Sequence, residues 1–195
     1  MTAAFTFPGQ GSQTVGMGKA LADAFPVARA VFDEVDSALG EKLSATIWEG
    51  PAETLQLTEN AQPALMAVSL ATLRVLEAEA GVSVARDAAF VAGHSLGEYS
   101  ALAAAGSFTV SDTARLLRTR GLAMQKAVPV GAGAMAALLG LDYEAAVAVA
   151  QEAAQNEVCQ AANDNGGGQV VVSGDKAAVE RAIEIAKSKG AKRAM

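Results

Sequence analysis

Residues 93 to 97 read Gly93-His94-Ser95-Leu96-Gly97, a G-x-S-x-G pentapeptide. Its chemistry would be nucleophilic: a serine hydroxyl attacks an acyl carbonyl and carries the acyl group as an ester. Chance matches to five residues arise readily in a chain with 19 glycines, so the flanks carry the argument. Ala88-Ala89-Phe90-Val91-Ala92 before it is strand-like, and Glu98 to Ala105 after it is helix-like. A serine on a sharp strand-to-helix turn has its Oγ forced into the open, and flanking glycines admit backbone and ligand at short range. The new helix aims unpaired N–H groups and the positive end of its dipole at the turn. An oxyanion forming there would be stabilised.

A second candidate is Arg120. The pattern from Ser111 to about Val128 predicts a helix, with Ser111 as N-cap and Asp112 well placed for the dipole. At about 100° per residue, Leu117, Gly121 and Met124 line its apolar side, and Arg115, Arg118 and Lys126 lie together opposite. Arg120 projects within roughly 40–60° of the apolar stripe. An arginine aimed inward is costly unless it meets an anion. A structural ion pair or a snorkelling stem would satisfy it. Beside a serine nucleophile a substrate carboxylate would do so too, because the guanidinium fork matches a carboxylate in bidentate fashion.

Other elements must position these two. Ala3 to Phe7 reads as a first strand ended by Pro8-Gly9, followed by the loop Pro8-Gly9-Gln10-Gly11-Ser12-Gln13. Pro26 to Leu39 has Val27, Val31, Val35 and Ala38 at helical spacing, with Pro26 in the first turn. Asn60 to Glu79 is a longer helix with Leu65, Val68, Leu73 and Leu76 inward, stopped by Gly81. Pro129 and the Gly131/Gly133 pair mark a boundary. Beyond it, Ala134 to Leu139 reads as strand, Asp142 to Gln155 as helix and Val158 to Ala162 as strand. Asn163 to Gly168 reads as a turn, Gln169 to Ser173 as strand and Asp175 to Lys189 as helix. Ala191 to Met195 reads as the start of a last strand. This β-α-β-β-α-β order is ferredoxin-like. The expectation is an α/β class, with residues 1–128 an α/β core and 129–195 a small ferredoxin-like subdomain with its last strand incomplete.

Composition excludes several classes. With 51% hydrophobic residues the chain builds a core and is not disordered. A net charge of −6 and a pI near 4.8 leave no basic stripe for nucleic acid. One cysteine, Cys159, gives no disulfide framework and no cysteine zinc site; it reads as a buried small hydrophobe. No metal motif, phosphate loop or dinucleotide fingerprint is present. There is no apolar run of membrane-spanning length and no signal peptide at the N-terminus, so a cytoplasmic protein is expected.

Phe7-Pro8-Gly9-Gln10-Gly11-Ser12-Gln13, Gly93-His94-Ser95-Leu96-Gly97-Glu98, Arg120-Gly121 with Met124-Gln125, Asn163-Asp164-Asn165 and Gln169 to Gly174 together resemble the malonyl-CoA:acyl carrier protein transacylases of fatty acid synthesis. The resemblance runs along the whole chain. It implies that Ser95 attacks the malonyl thioester and that the backbone N–H groups of Gln10 and Leu96 form the oxyanion hole. It implies that Arg120 holds the free malonyl carboxylate and that Met124 lines the acyl pocket. His94 would be counted with the substrate-binding residues, and Asn163 would lie near the cleft. The implied fold is an α/β-hydrolase-like core, incomplete here, carrying a ferredoxin-like subdomain. The substrates would be malonyl-CoA and phosphopantetheinyl acyl carrier protein, with no cofactor bound.

One departure is serious. Adjacent residues on a tight elbow project in different directions, so the His94 imidazole is poorly placed to take a proton from Ser95 Oγ. The family's base is a histidine further along, expected beyond Met195. The 195 residues alone are therefore expected to be nearly inactive, and to need a complementing segment to cover apolar surface; the full-length family member is expected to be a monomer. Lys187, Lys189, Lys192 and Arg193 cluster near the C-terminus. Lys192 and Arg193 are candidates for receiving an acidic carrier protein, against the plainer reading of a helix end complementing its dipole. Competing functions are a polyketide-synthase acyltransferase, disfavoured because Phe5-Thr6-Phe7-Pro8 comes right at Met1 with no synthase module expected upstream; a serine esterase, disfavoured by Arg120; and a fragment that binds carrier protein without turnover.

Overall fold

β1 (Ala3–Phe7) and β2 (Ala88–Gly93) pair in parallel, with Phe5 opposite Val91 and Phe7 opposite Gly93. Parallel neighbours cannot be joined by a hairpin, and the chain between them is a helical crossover. The computed structural model describes residues 3–129 and 131–195, which divide into one unit ending at Ala127 and another beginning at Val128.

In the first unit the crossover runs through α1 (Lys19–Ala24), α2 (Pro26–Leu39), α3 (Leu43–Glu49), α4 (Ala52–Gln56), α5 (Thr58–Ala80) and α6 (Val84–Asp87). After β2 come α7 (Leu96–Ala104) and α8 (Val110–Ala127). The α2 stripe Ala28, Val31, Phe32 and Val35 is buried, at the i, i+3, i+4, i+7 spacing of an amphipathic helix. Glycines in the left-handed conformation, Gly40 at φ 68° and Gly81 at φ 62°, stop α2 and α5. The central helix is α5, packed by α8, α2 and α7. From Asn60 to Ala67 it is buried on every side, and past Leu73 only one side is covered. Leu76, expected inward, is 41% exposed for that reason, and Val27 on the rim of α2 is 39% exposed.

In the second unit β3 (Gly133–Leu139), α9 (Tyr143–Ala154), β4 (Cys159–Asp164), β5 (Gln169–Asp175), α10 (Lys176–Ser188) and β6 (Arg193–Ala194) follow in order. The antiparallel sheet has strand order β4-β5-β3-β6. Opposed residues Ala136 with Val172, and Leu138 with Val170, bury one face against Val149, Ala153, Val179 and Ala182 of the two helices. Met135, on the other face, is 60% exposed.

Three local expectations are corrected. Thr109, not Ser111, caps α8: its Oγ1 accepts from the Asp112 amide at 3.0 Å, the N-cap bond to the third helical residue, and donates to the Asp112 carboxylate at 2.8 Å. Ser111 instead gives its amide and hydroxyl to Glu34. Asn163 and Asp164 are strand, not turn, because cross-strand pairing with Val171 and Val170 carries β4 past an irregularity at Ala162. Helices α1, α3, α4 and α6 were not foreseen; the longest of them has seven residues, too short for periodicity to declare.

Candidate active site

β2 ends at Gly93 and α7 begins at Leu96, so His94 and Ser95 alone turn the chain. Ser95 is exposed and holds φ 54°, ψ −112°, a conformation that costs an L residue about 1–3 kcal/mol. Packing enforces it. A Cβ on Gly93 would stand 1.9 Å from the Gly97 carbonyl, and one on Gly97 would stand 2.3 Å from the Phe7 carbonyl oxygen. The His94 amide donates to that same Phe7 carbonyl at 3.1 Å. The elbow is thus wedged against the end of β1, and no side chain fits at either glycine.

The amides at the turn divide into committed and uncommitted. Gly97 N–H donates to the His94 carbonyl at 2.9 Å and Glu98 N–H to the Ser95 carbonyl at 3.1 Å. Among the described residues no backbone carbonyl takes the Leu96 N–H, at the first position of α7. Leu96 itself is buried and anchors the helix start. The loop after β1 lies against the elbow: a Cβ on Gly9 would meet His94 Nδ1 at 2.5 Å, so the imidazole is packed on that loop. Gln10 is tied by its side chain to Thr58 Oγ1 at 3.3 Å, and the Gly11 amide to Gln13 Oε1 at 2.8 Å. Gln13 in turn donates to Gln56 at 2.6 Å. The loop is therefore fixed from both sides.

Arg120 reaches Ser95 from α8. Its Nη2 donates to Ser95 Oγ at 2.9 Å and its Nη1 to Gln62 Oε1 at 2.5 Å. The guanidinium carbon stands 6.0 Å from the Tyr99 ring centroid, a cation–π approach. Gly121 makes this possible: a Cβ there would lie 2.5 Å from Glu59 Cα, so α8 rests directly on the first turn of α5. Two residues earlier Arg118 repeats the pattern, giving Nη1 to Asn60 Oδ1 at 2.6 Å and Nη2 to the Glu41 carboxylate. Arg118, placed on the solvent side by the helical wheel, is half-buried because α5 lies under it. Met124 is 45% exposed, and its sulfur accepts from Gln62 Nε2 at 3.3 Å.

Hydrogen bonds thus link Ser95 to Arg120 and, through Gln62, to Met124, with Leu96 next to Ser95 and with Gln10 and His94 on the adjoining loop and elbow. Gln62 was missed. The available signal was an amide at the head of the stripe Gln62, Leu65, Met66, Leu73, where helical spacing demands an apolar side chain. Asn163 is exposed on β4 of the second unit. In that unit Lys187 and Lys189 are paired with Glu184 and Glu152. Lys192 and Arg193 are exposed, with no carboxylate within 4.0 Å among the described residues. Also among the described residues, no group of His, Cys, Asp and Glu could hold a metal ion, and no helix is long and apolar enough to cross a membrane.

The acyl transferase domain family matches residues 4–195. The malonyl CoA-acyl carrier protein transacylase of Bacillus subtilis (strain 168) is 51% identical over 193 residues, covering 98% of this chain and 59% of its own length. The Escherichia coli (strain K12) protein of the same name is 48% identical over 192 residues, with coverages of 98% and 61%. The crystal structure of an acyl-carrier-protein-S-malonyltransferase from Bartonella henselae superposes with a TM-score of 0.93 at 62% identity, covering all of this chain and 62% of that one. PlMCAT, a malonyl-transacylase solved in complex with a type II PKS acyl-carrier protein, superposes at 0.90 with 46% identity and coverages of 100% and 62%. The mixed α/β fold is that of the solved acyltransferases. The chain spans about three fifths of the length of these relatives.

Proposed function

The chain belongs to the acyl transferase domain family, and on that premise we propose that its serine site moves a malonyl group from malonyl-CoA to the pantetheine thiol of acyl carrier protein. One observation carries this reading: the guanidinium of Arg120 touches Ser95 Oγ at 2.9 Å and meets no carboxylate within 4.0 Å among the described residues. In a malonyl ester the far carboxylate sits three bonds beyond the serine oxygen, within about 4 Å of it by ordinary bond lengths. A cation at that range suits a three-carbon dicarboxylic acyl group and has no use in transferring a neutral one.

In this reading the steps are as follows. Ser95 Oγ attacks the thioester carbonyl and loses its proton to a base. The oxyanion is received by the Leu96 and Gln10 amides, where one such donor is worth about 3–4 kcal/mol. The carbon–sulfur bond breaks, and CoA departs as the thiol once protonated. The pantetheine thiol then attacks the malonyl-serine ester and Ser95 regains its proton. His94 is the chain's only histidine and its ring is packed on Gly9, so the base is read as a group other than His94. Met124 and His94 border the acyl pocket in this reading, and Lys192 with Arg193 receive the carrier protein.

The finer fold is part of the same proposal. Residues 1–128 are read as belonging to an α/β-hydrolase-like core, supported by parallel strands, a helical crossover and a serine elbow. Residues 129–195 are read as a ferredoxin-like subdomain, supported by the β-α-β-β-α-β order and the sheet order β4-β5-β3-β6. The test is mass spectrometry after incubation with malonyl-CoA or acetyl-CoA, with and without added imidazole as a diffusible base. Malonyl on Ser95, formed faster with imidazole and in preference to acetyl, is the expected result. Modification elsewhere, or no preference for malonyl, would overturn the reading.

A further inference from the structure

Arg29, Arg74, Arg86, Arg115, Arg118 and Arg181 each meet a carboxylate. Arg120 is held instead by an amide oxygen, a hydroxyl and the ring of an aromatic neighbour. The amide belongs to Gln62, which is 0% exposed. An arginine only donates, so the amide oxygen must face it, which turns Nε2 toward the Met124 sulfur, the acceptor it finds at 3.3 Å. Both ends of the Gln62 side chain are thus spent on α8, on residues four apart and one turn of helix from each other.

We propose that Gln62 is the positioning residue of this site: it fixes the Arg120 fork by a neutral hydrogen bond, aims Nη2 at the acyl position and leaves the positive charge uncancelled for a substrate carboxylate. The inference rests on the reading that Arg120 receives that carboxylate. A glutamate at this place would hold the guanidinium equally well but would neutralise it in a buried setting, where the pair screens poorly and competes directly with the substrate. An apolar residue of similar size would leave the fork free to turn and its inner N–H without an acceptor. Asn60 under Arg118 forms the control within the same helix pair, since there Glu41 supplies the counter-charge that Arg120 lacks.

The experiment compares malonyl-CoA and acetyl-CoA affinities, by calorimetry, for the unsubstituted protein, Q62E and Q62L. Acetyl-CoA binding reports whether each variant keeps its fold. The malonyl preference is expected to fall about tenfold or more in Q62E, the scale of a charged hydrogen bond, and severalfold in Q62L, with acetyl-CoA affinity unchanged in both. A preference retained in both variants overturns the inference, as does an equal loss for both ligands, which marks Gln62 as structural. No malonyl preference in the unsubstituted protein overturns the carboxylate reading itself, and this inference with it.

Discussion

Arg120 and Ser95 are joined by a 2.9 Å hydrogen bond in which the guanidinium donates and the hydroxyl oxygen accepts. The bond places a full positive charge against the oxygen that, in the proposed reaction, becomes an ester oxygen. Under the proposed function, a dicarboxylic acyl group would find its counter-ion already beside the serine, held back by Gln62 and Tyr99. Preorganisation of this kind spares the site the cost of turning a long side chain during the reaction.

Replacement of Arg120 tests that arrangement. R120A is expected to lower malonyl loading of Ser95 by roughly two orders of magnitude, the worth of a bidentate charged contact, and to spare acetyl loading. R120K is expected to recover only part of the loss, because a single ammonium cannot serve the geometry of a planar fork that bonds Gln62 and Ser95 together. Loading rates measured for both thioesters decide it; equal losses on both would assign Arg120 a structural role.

Ser95 pays for its exposure in backbone strain. At φ 54° and ψ −112° glycine is at ease and alanine is not. S95G is therefore expected to unfold at higher denaturant than S95A, by about 1 kcal/mol once the greater chain entropy of glycine is deducted from the relief of strain. Equal midpoints in urea would show that the turn is not strained.

Much of this site could be read from residue order, and what could not has a common physical cause. The elbow was legible because Gly93 and Gly97 answer to sterics within five residues. Arg120 was legible because a charge on an apolar stripe violates helical periodicity. Arg118 was misplaced because its partners, Asn60 and Glu41, are 58 and 77 residues away, and a helical wheel has no knowledge of a second helix. Gln62 escaped because an amide in an apolar stripe is a weaker anomaly than a charge. The α8 cap was assigned to Ser111 because serine is a good cap in isolation; the Thr109-x-x-Asp112 pattern was the stronger signal. Asn163 and Asp164 looked like turn residues, and only the pairing across β5 holds them extended.

Gly121 is the contact through which α8 meets α5. A methyl group there would stand 2.5 Å from Glu59 Cα and 2.8 Å from both the Glu59 nitrogen and the Thr58 carbonyl oxygen. All three are backbone atoms at the start of a helix, so relief requires the helices to separate. G121A is expected to cost about 1–3 kcal/mol of stability, the usual range for overpacking, despite alanine's better helix propensity. The same separation lengthens the Gln62–Arg120 bond, so malonyl loading should fall further than acetyl loading in the folded protein. Thermal unfolding with both loading rates checks the two effects separately.

The second unit offers a different test. Lys187 and Lys189 are paired with Glu184 and Glu152 at 2.7 and 2.6 Å, so local carboxylates offset that half of the basic cluster. Lys192 and Arg193 remain exposed at the edge of the sheet, where the Lys192 amide is tied to the Leu139 carbonyl at 2.8 Å and Arg193 pairs with Leu139. Their backbone is fixed and their charges face solvent, so reversing the charges disturbs little else. K192E/R193E is expected to weaken binding of an acidic carrier protein and to make what remains less sensitive to salt, since surface attraction of this kind is screened over about 10 Å at 0.1 M. Malonyl loading of Ser95 from CoA, which needs no carrier, should be unchanged. Carrier binding titrated at two ionic strengths reads the effect directly; an affinity equal to that of the unsubstituted protein at low salt would exclude these two cations from the docking surface.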